Sequence, residues 1–119
     1  MVRRMNDAST LTPTKTLSLR EGRAAVSVAP ELGGAIASYC WNVGGNVVNW
    51  LRPTTEAALR TGHAEDFACF PLFPYSNRVR AGRFRFGAHD ATLPTQTGVD
   101  PHAEHGHGWR RTWLAKRLA

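Results

Sequence analysis

From Lys15 onward the chain consists of short runs in which apolar and polar side chains alternate, separated by turn-forming residues. A period of two places successive side chains on opposite faces of an extended strand, so such runs suit half-buried strands rather than amphipathic helices. Lys15 to Arg20 alternates through Leu17 and Leu19, Glu21-Gly22 supplies a turn, and Ala24 to Val28 alternates again, which is a hairpin pattern. Pro30 to Gly34 breaks the run. Ile36 to Val43 and Val47 to Leu51 then flank a tight Gly44-Gly45 turn. Arg83 to Phe86 alternates strictly, Gly87 to His89 turns, and Asp90 to Leu93 can pair back. Pro94 to Gly108 is a loop, and Arg111 to Leu118 restarts an alternating strand. Thr54 to Arg60 is the single stretch with helical character, with Thr54 or Thr55 as its N-cap. This spacing predicts an all-β sandwich or barrel.

Residues 1–14 are polar, include Pro13 and carry no period, which predicts a disordered lead-in before a domain that begins at residue 15. The last strand is expected to run into the C-terminus with no turn or cap, as in a chain cut within a domain. The basic start has no apolar stretch behind it, so it does not read as a signal peptide, and no run approaches the ~20 apolar residues of a membrane span. Fifteen Lys and Arg against nine Asp and Glu give a net charge of +6. Those cations are dispersed along the chain, which suits solvated strand faces and a basic start better than a nucleic-acid or membrane surface. Cys40 and Cys69 lie among apolar residues and are expected to be buried thiols in a reducing compartment, with the cytoplasm as the default location.

Two segments stand out for chemistry. Phe67 to Tyr75 is apolar and aromatic, and Pro71 and Pro74 forbid a central strand, so an irregular buried segment is expected. It delivers Asn77 and Arg78 to the rim of that platform. A guanidinium fork beside an amide suits vicinal hydroxyls of a sugar, although a loop Asn beside a surface Arg has the same composition. The second segment, His102 to Trp109 (HAEHGHGW), holds three histidines in six residues. Its composition leaves open a metal site, acid–base or hydrogen-bonding work on a polar ligand, and a merely flexible loop. Glycines there allow close backbone approach to a ligand, and Trp109 can stack on a sugar ring.

Four motifs in order carry a resemblance. Pro30 to Ser38 (PELGGAIAS) is similar to the P..GG.I.S entry segment of the aldose 1-epimerase family, and Leu51-Arg52-Pro53 to its following LR step. Phe70 to Phe86 (FPLFPYSNRVRAGRFRF) resembles the family's Asn-Arg signature, with Val79 where Ile is usual. His102 to Trp109, followed by Trp113, resembles its His-Gly-Trp motif.

The resemblance implies the N-terminal part of a large galactose-mutarotase-like β-sandwich, with the sugar on its concave face. It also implies an enzyme that interconverts α and β anomers of an aldose by acid–base ring opening, with no metal or organic cofactor. By motif match Asn77 and Arg78 bind sugar hydroxyls, and His105 binds the sugar near the reacting end and assists charge at the ring oxygen. His102 and His107 are left as supporting groups. Glu104 belongs to no recognised motif and is not assigned as base. The family's acid, a second histidine, its base, a late glutamate, and a sugar-contacting aspartate are expected beyond residue 119, so the chain alone is expected to be inactive. A mutarotase for hexose 6-phosphates, which the basic balance would suit, and a non-catalytic sugar-binding module are the competing readings. The expected partner is a small aldose, not nucleic acid or membrane.

Overall fold

The computed structural model describes residues 12–95 and 100–116. Strands β1 (Leu17–Glu21), β2 (Ala24–Ala29), β3 (Ala35–Val43) and β4 (Asn46–Leu51) form one antiparallel sheet in chain order. The β3–β4 turn places Gly44 at φ 59° and Gly45 at φ 87°, the paired left-handed geometry that a two-residue hairpin loop demands. Register shifts at Ser27/Val28 and Tyr39/Cys40 mark bulges, which sharpen the sheet's twist.

The single α-helix among the described residues, α1 (Glu56–Thr61), is six residues long. Thr55 caps it, its Oγ1 accepting the Ala58 N–H at 3.2 Å, and Gly62 closes it in the left-handed region. The main-chain N–H of Thr14 donates to the Leu59 carbonyl at 2.7 Å, tying the residues ahead of β1 to this helix. The rest of the expected lead-in, residues 1–11, lies outside the described residues.

Ala29, Ala35, Ala37 and Phe67 form the core cluster, with Leu32, Leu59 and Phe70 against it. The small side chains let the Phe67 segment approach the sheet closely enough for the Ile36 N–H to donate to the Cys69 carbonyl at 2.8 Å. Phe67 and Phe70 hold the inward positions of this irregular stretch, so Cys69 is exposed rather than buried as expected, while Cys40 is half-buried.

Two smaller antiparallel pairs complete the architecture. β5 (Arg78–Val79) pairs with β8 (Ala103–Glu104), and β6 (Arg83–Phe86) with β7 (His89–Thr92). The strand expected from Arg111 is not formed over the described residues to Lys116. Its main chain is bonded elsewhere: Arg111 O accepts from Gly33 N–H at 2.9 Å, and Trp113 N–H donates to Pro30 O at 2.8 Å. Groups already satisfied by a loop are not offered to a sheet edge.

Where alternation does mark a strand, as in β1 and β4, it does not report burial. Leu19 and Val47 are each 62% exposed, and Trp50 56%. The radius of gyration is 18.3 Å, against ~13 Å for a compact 100-residue domain. The sheet is therefore open, with apolar faces in solvent. No helix among the described residues is long and apolar enough to cross a membrane.

Candidate active site

The Asn-Arg segment is shaped by two residues in the left-handed region. Asn77 sits at φ 65°, a conformation Asn tolerates because its short amide bonds locally; here Oδ1 accepts the Arg78 N–H at 2.9 Å. Ala81, at φ 50°, has no such compensation of its own. It is held from outside, because its N–H donates to His102 Nδ1 at 3.1 Å.

The short β5–β8 ladder sets Arg78 directly opposite Glu104 and Val79 opposite Ala103. At its end His105 turns into the left-handed region at φ 53°, and its N–H donates to the Asn77 carbonyl at 3.0 Å. Asn77 and Arg78 thus meet His105, which lies far from them in sequence, across one two-residue ladder.

The other motifs lock this arrangement in place. Gly106 lies against Pro74 and the Phe73 carbonyl, where a Cβ has no room, and the Gly108 N–H donates to Phe73 O at 2.9 Å. On the far side, Gly33 lies against the main chain of Gly108 and Trp109. The ring of Trp113 packs on Gly34, and its Nε1 donates to Gly108 O at 2.9 Å. Apolar platform, Gly-Gly segment and histidine loop form one contiguous body.

Charge in the site centres on Arg78. Its Nε donates to Asp100 Oδ2 at 2.8 Å, and Nη2 contacts Glu104 Oε1 at 2.6 Å. Asp100 Oδ1 also accepts the His102 N–H at 2.8 Å. The Arg78 hydrogen bond, and after it the His102 N–H, hold the Asp100 carboxyl below the usual carboxylate range. Asp100, and next the charge of Glu104, push Arg78 above its ordinary value.

A carboxyl whose folded-state pKa is depressed contributes stability that is complete above its unfolded pKa and lost as pH falls through the folded value. The clasp is therefore expected to persist through mild acid and open only below pH ~4. The Arg78 Nε–H resonance should be protected at neutral pH, lose protection in strong acid, and lose it at neutral pH in Asp100→Asn. A resonance indifferent to both changes would contradict the clasp.

His105 is largely enclosed. Its Nε2 lies 3.4 Å from Glu104 Oε1, and its Nδ1 is buried with no hydrogen-bond partner among the described residues. Trp109 meets its ring edge-on at 6.2 Å between centroids. Trp109 is not a platform for a sugar: it is 2% exposed, stacks on Phe70 at 5.5 Å, and carries the Arg110 guanidinium 3.8 Å over its ring. Large aromatics gain most by full burial, and this one serves as the loop's anchor.

The three histidines have separate tasks. His102 latches Ala81, His105 faces Glu104, and His107 lines a cleft of ≈ 250 Å³ with Thr95, Glu104, Gly106, Arg110 and Arg111. Among the described residues no three His, Cys, Asp or Glu side chains gather as a metal-binding group.

Sequence reasoning missed the parts played by Asp100 and Glu104. Asp100 had one local signal, since an Asp two residues before a main-chain N–H readily accepts from it. Glu104 had none beyond adjacency to His105, because its tie to Arg78 depends on a long-range pairing.

A family model for aldose 1-epimerase matches residues 15–119. YphB, an uncharacterized Escherichia coli K12 protein, is 36% identical over 73 residues, covering 59% of this chain and 25% of YphB. A crystal structure from Escherichia coli K12, of a protein proposed to be an aldose 1-epimerase, superposes with a TM-score of 0.70 at 28% identity. That match covers 88% of this chain and 33% of the solved one, so the chain spans between a quarter and a third of these relatives. Strand content, topology and this superposition agree on a β-rich epimerase-like fold, and the chain belongs to the aldose 1-epimerase family.

Proposed function

We propose that this segment forms one wall of the sugar site of an aldose 1-epimerase, an isomerase that interconverts the α and β anomers of an aldose. The observation that supports it most is the convergence of Asn77, Arg78 and His105 across the β5–β8 ladder, whose member Glu104 and the following Gly106 help to line a polar cleft. In the proposed reaction a base takes the proton of the C1 hydroxyl while an acid protonates the ring oxygen. The C1–O5 bond breaks, the C1–C2 bond rotates, and the ring closes on the other face of the aldehyde. The scheme moves only protons and needs no cofactor.

In this reading Arg78 and Asn77 hold hydroxyls, and His105 hydrogen-bonds the sugar near the ring oxygen. Asp100 and Glu104 are both committed to Arg78, so neither offers a free carboxylate as base. The 119-residue polypeptide by itself is therefore proposed to bind sugar without accelerating mutarotation. Two unpaired cysteines suit a reducing compartment, and the cytoplasm is the proposed location.

A second reading has one observation in its favour. His107, Arg110 and Arg111 line the same cleft and have no acidic partner among the described ion pairs, which suits a sugar 6-phosphate.

Titration of the 15N-labelled chain with D-glucose and D-galactose tests the site. Resonance shifts are expected at Asn77, the Arg78 side chain and Gly106, and not in α1. Glucose 6-phosphate should add shifts at Arg110 and Arg111 if the second reading holds. No shifts at Asn77, Arg78 or Gly106 with any of these sugars would defeat the assignment.

A further inference from the structure

We propose that Asp100 is a specificity-determining residue of this site: with Glu104 it clamps the Arg78 guanidinium and offsets its charge. Arg78 then offers N–H donors to neutral sugar hydroxyls and not a cationic hold for a carboxylate or phosphate. The consequence for sugars rests on the function proposed above; the clamp and its rejection of anions do not.

Pairing in β5–β8 sets Glu104 opposite Arg78, and the residues just ahead of β8 bring Asp100 to the same guanidinium. Asp100 Oδ2 accepts the Arg78 Nε–H at 2.8 Å, and Glu104 Oε1 lies 2.6 Å from Nη2. The other oxygen of Asp100 accepts the His102 N–H at 2.8 Å, which fixes the carboxylate itself. The Asp100 and Glu104 side chains are 20% and 18% exposed and that of Arg78 48%, so the cation is the open member of the cluster.

One cation between two carboxylates leaves an excess of one negative charge. The clamp engages Nε and Nη2 and leaves the Nη1 donors free for a ligand. A hydroxyl oxygen can accept from Nη1 whatever the charge nearby. An anion there is drawn to the guanidinium and repelled by both carboxylates. Coulomb energy falls as the inverse of distance, so two repelling charges cancel one attracting charge when they lie about twice as far away. Both carboxylates touch the guanidinium, which sets them at about that distance from a ligand on its free edge. Being mostly covered, they are screened little by salt. A phosphorylated sugar in this site would therefore place its phosphate on the Arg110 and Arg111 wall and not on Arg78.

The test is 15N NMR of the Arg78 side chain in the 119-residue chain at about pH 8, where an unperturbed imidazole is neutral. Wild type, Asp100→Asn and Glu104→Gln are compared. Sodium acetate is the anionic probe, against sodium chloride at equal ionic strength. In wild type, acetate is expected to move the Arg78 resonances no more than chloride does. Each variant removes one negative charge, and acetate should bind at Arg78 about fivefold or more tightly than in wild type, the scale of one partly screened charge.

The clamp has its own signature. A guanidinium held at two nitrogens rotates slowly about its Cζ–Nε bond, so at low temperature wild-type Arg78 should show separate Nη1 and Nη2 resonances. In Asp100→Asn they should be averaged. Arg60, paired with the exposed Glu56 at 3.5 Å, is the internal control and should be averaged in all three proteins.

An Arg78 response to acetate that is the same in all three proteins overturns the proposal, and so does a wild-type Arg78 averaged like Arg60. If the His102 and Gly106 resonances show that Asp100→Asn has loosened the loop, Glu104→Gln decides, because it leaves the Asp100 bonds in place. Tighter acetate binding there supports the proposal and unchanged binding overturns it. Because no sugar is present, failure here leaves the sugar site standing, and absence of galactose binding leaves the acetate result standing.

Discussion

In a full-length epimerase domain carrying this segment, His105→Ala is expected to lower kcat by about a hundredfold while changing KM little. A donor beside the ring oxygen is worth more when that oxygen carries charge than when it is a neutral ether, and a contact that strengthens in the transition state is lost from kcat. Arg78→Ala should differ. In the proposed site its contacts are to hydroxyls that change little during ring opening, so its loss should raise KM on the order of tenfold, as for a charged hydrogen-bond donor. Part of that effect arises because Asp100 and Glu104 would be left without their shared cation.

His107→Ala should alter either constant by no more than a few fold, since His107 is exposed on the cleft wall. His102→Ala should act mainly on loop stability through the Ala81 latch. Steady-state kinetics of these four variants check the pattern. A resident metal would produce another: all three histidines would matter comparably, and a chelator would abolish activity.

Gly106→Ala is expected to disrupt the histidine loop strongly. Gly106 is at φ 69°, where a side chain costs ~1–2 kcal/mol by itself. The added Cβ would also run into Pro74 and the Phe73 carbonyl, so the histidine loop would have to lift from its platform. Gly44→Ala is the matched control: it carries a similar φ of 59° with nothing within 4 Å of the added carbon. Urea melts should show Gly106→Ala losing at least ~1 kcal/mol more than Gly44→Ala, the ordinary scale of overpacking. Gly106→Ala should also abolish sugar-induced shifts at His105. Equal losses in the two variants would show that the loop does not rest on the platform as described.

How much of this was legible in the sequence depended on the range of the interaction. The β1–β2, β3–β4 and β6–β7 hairpins are local, and alternation with turn residues places each within a residue or two. Thr55 announces its helix by the same local logic. Burial is not local. Leu17 and Leu19 alternate as a half-buried strand should, yet they are exposed, because alternation records which face is apolar and not what covers it. The segment after Arg111 alternates equally well and, over the described residues to Lys116, is no strand; Arg111 O and Trp113 N–H bond the Pro30–Gly34 loop instead.

At the site, composition singled out both segments, but nothing local says that Arg78 pairs with Glu104 or that Asp100 returns to the guanidinium. The roles of Trp109 and His102 were equally hidden. An aromatic and an imidazole in a glycine-rich loop look like ligand contacts until the structure shows one buried against Phe70 and the other bonded to Ala81.

The most direct test of the central claim is polarimetry on freshly dissolved α-D-glucose and α-D-galactose. A full-length family domain carrying residues 15–119 should accelerate the approach to anomeric equilibrium in proportion to its concentration. The 119-residue chain should leave the spontaneous rate unchanged. Failure of the full-length domain to accelerate either sugar, or its 6-phosphate, would contradict the epimerase account. So would an acceleration by that domain that survives His105→Ala and Arg78→Ala undiminished.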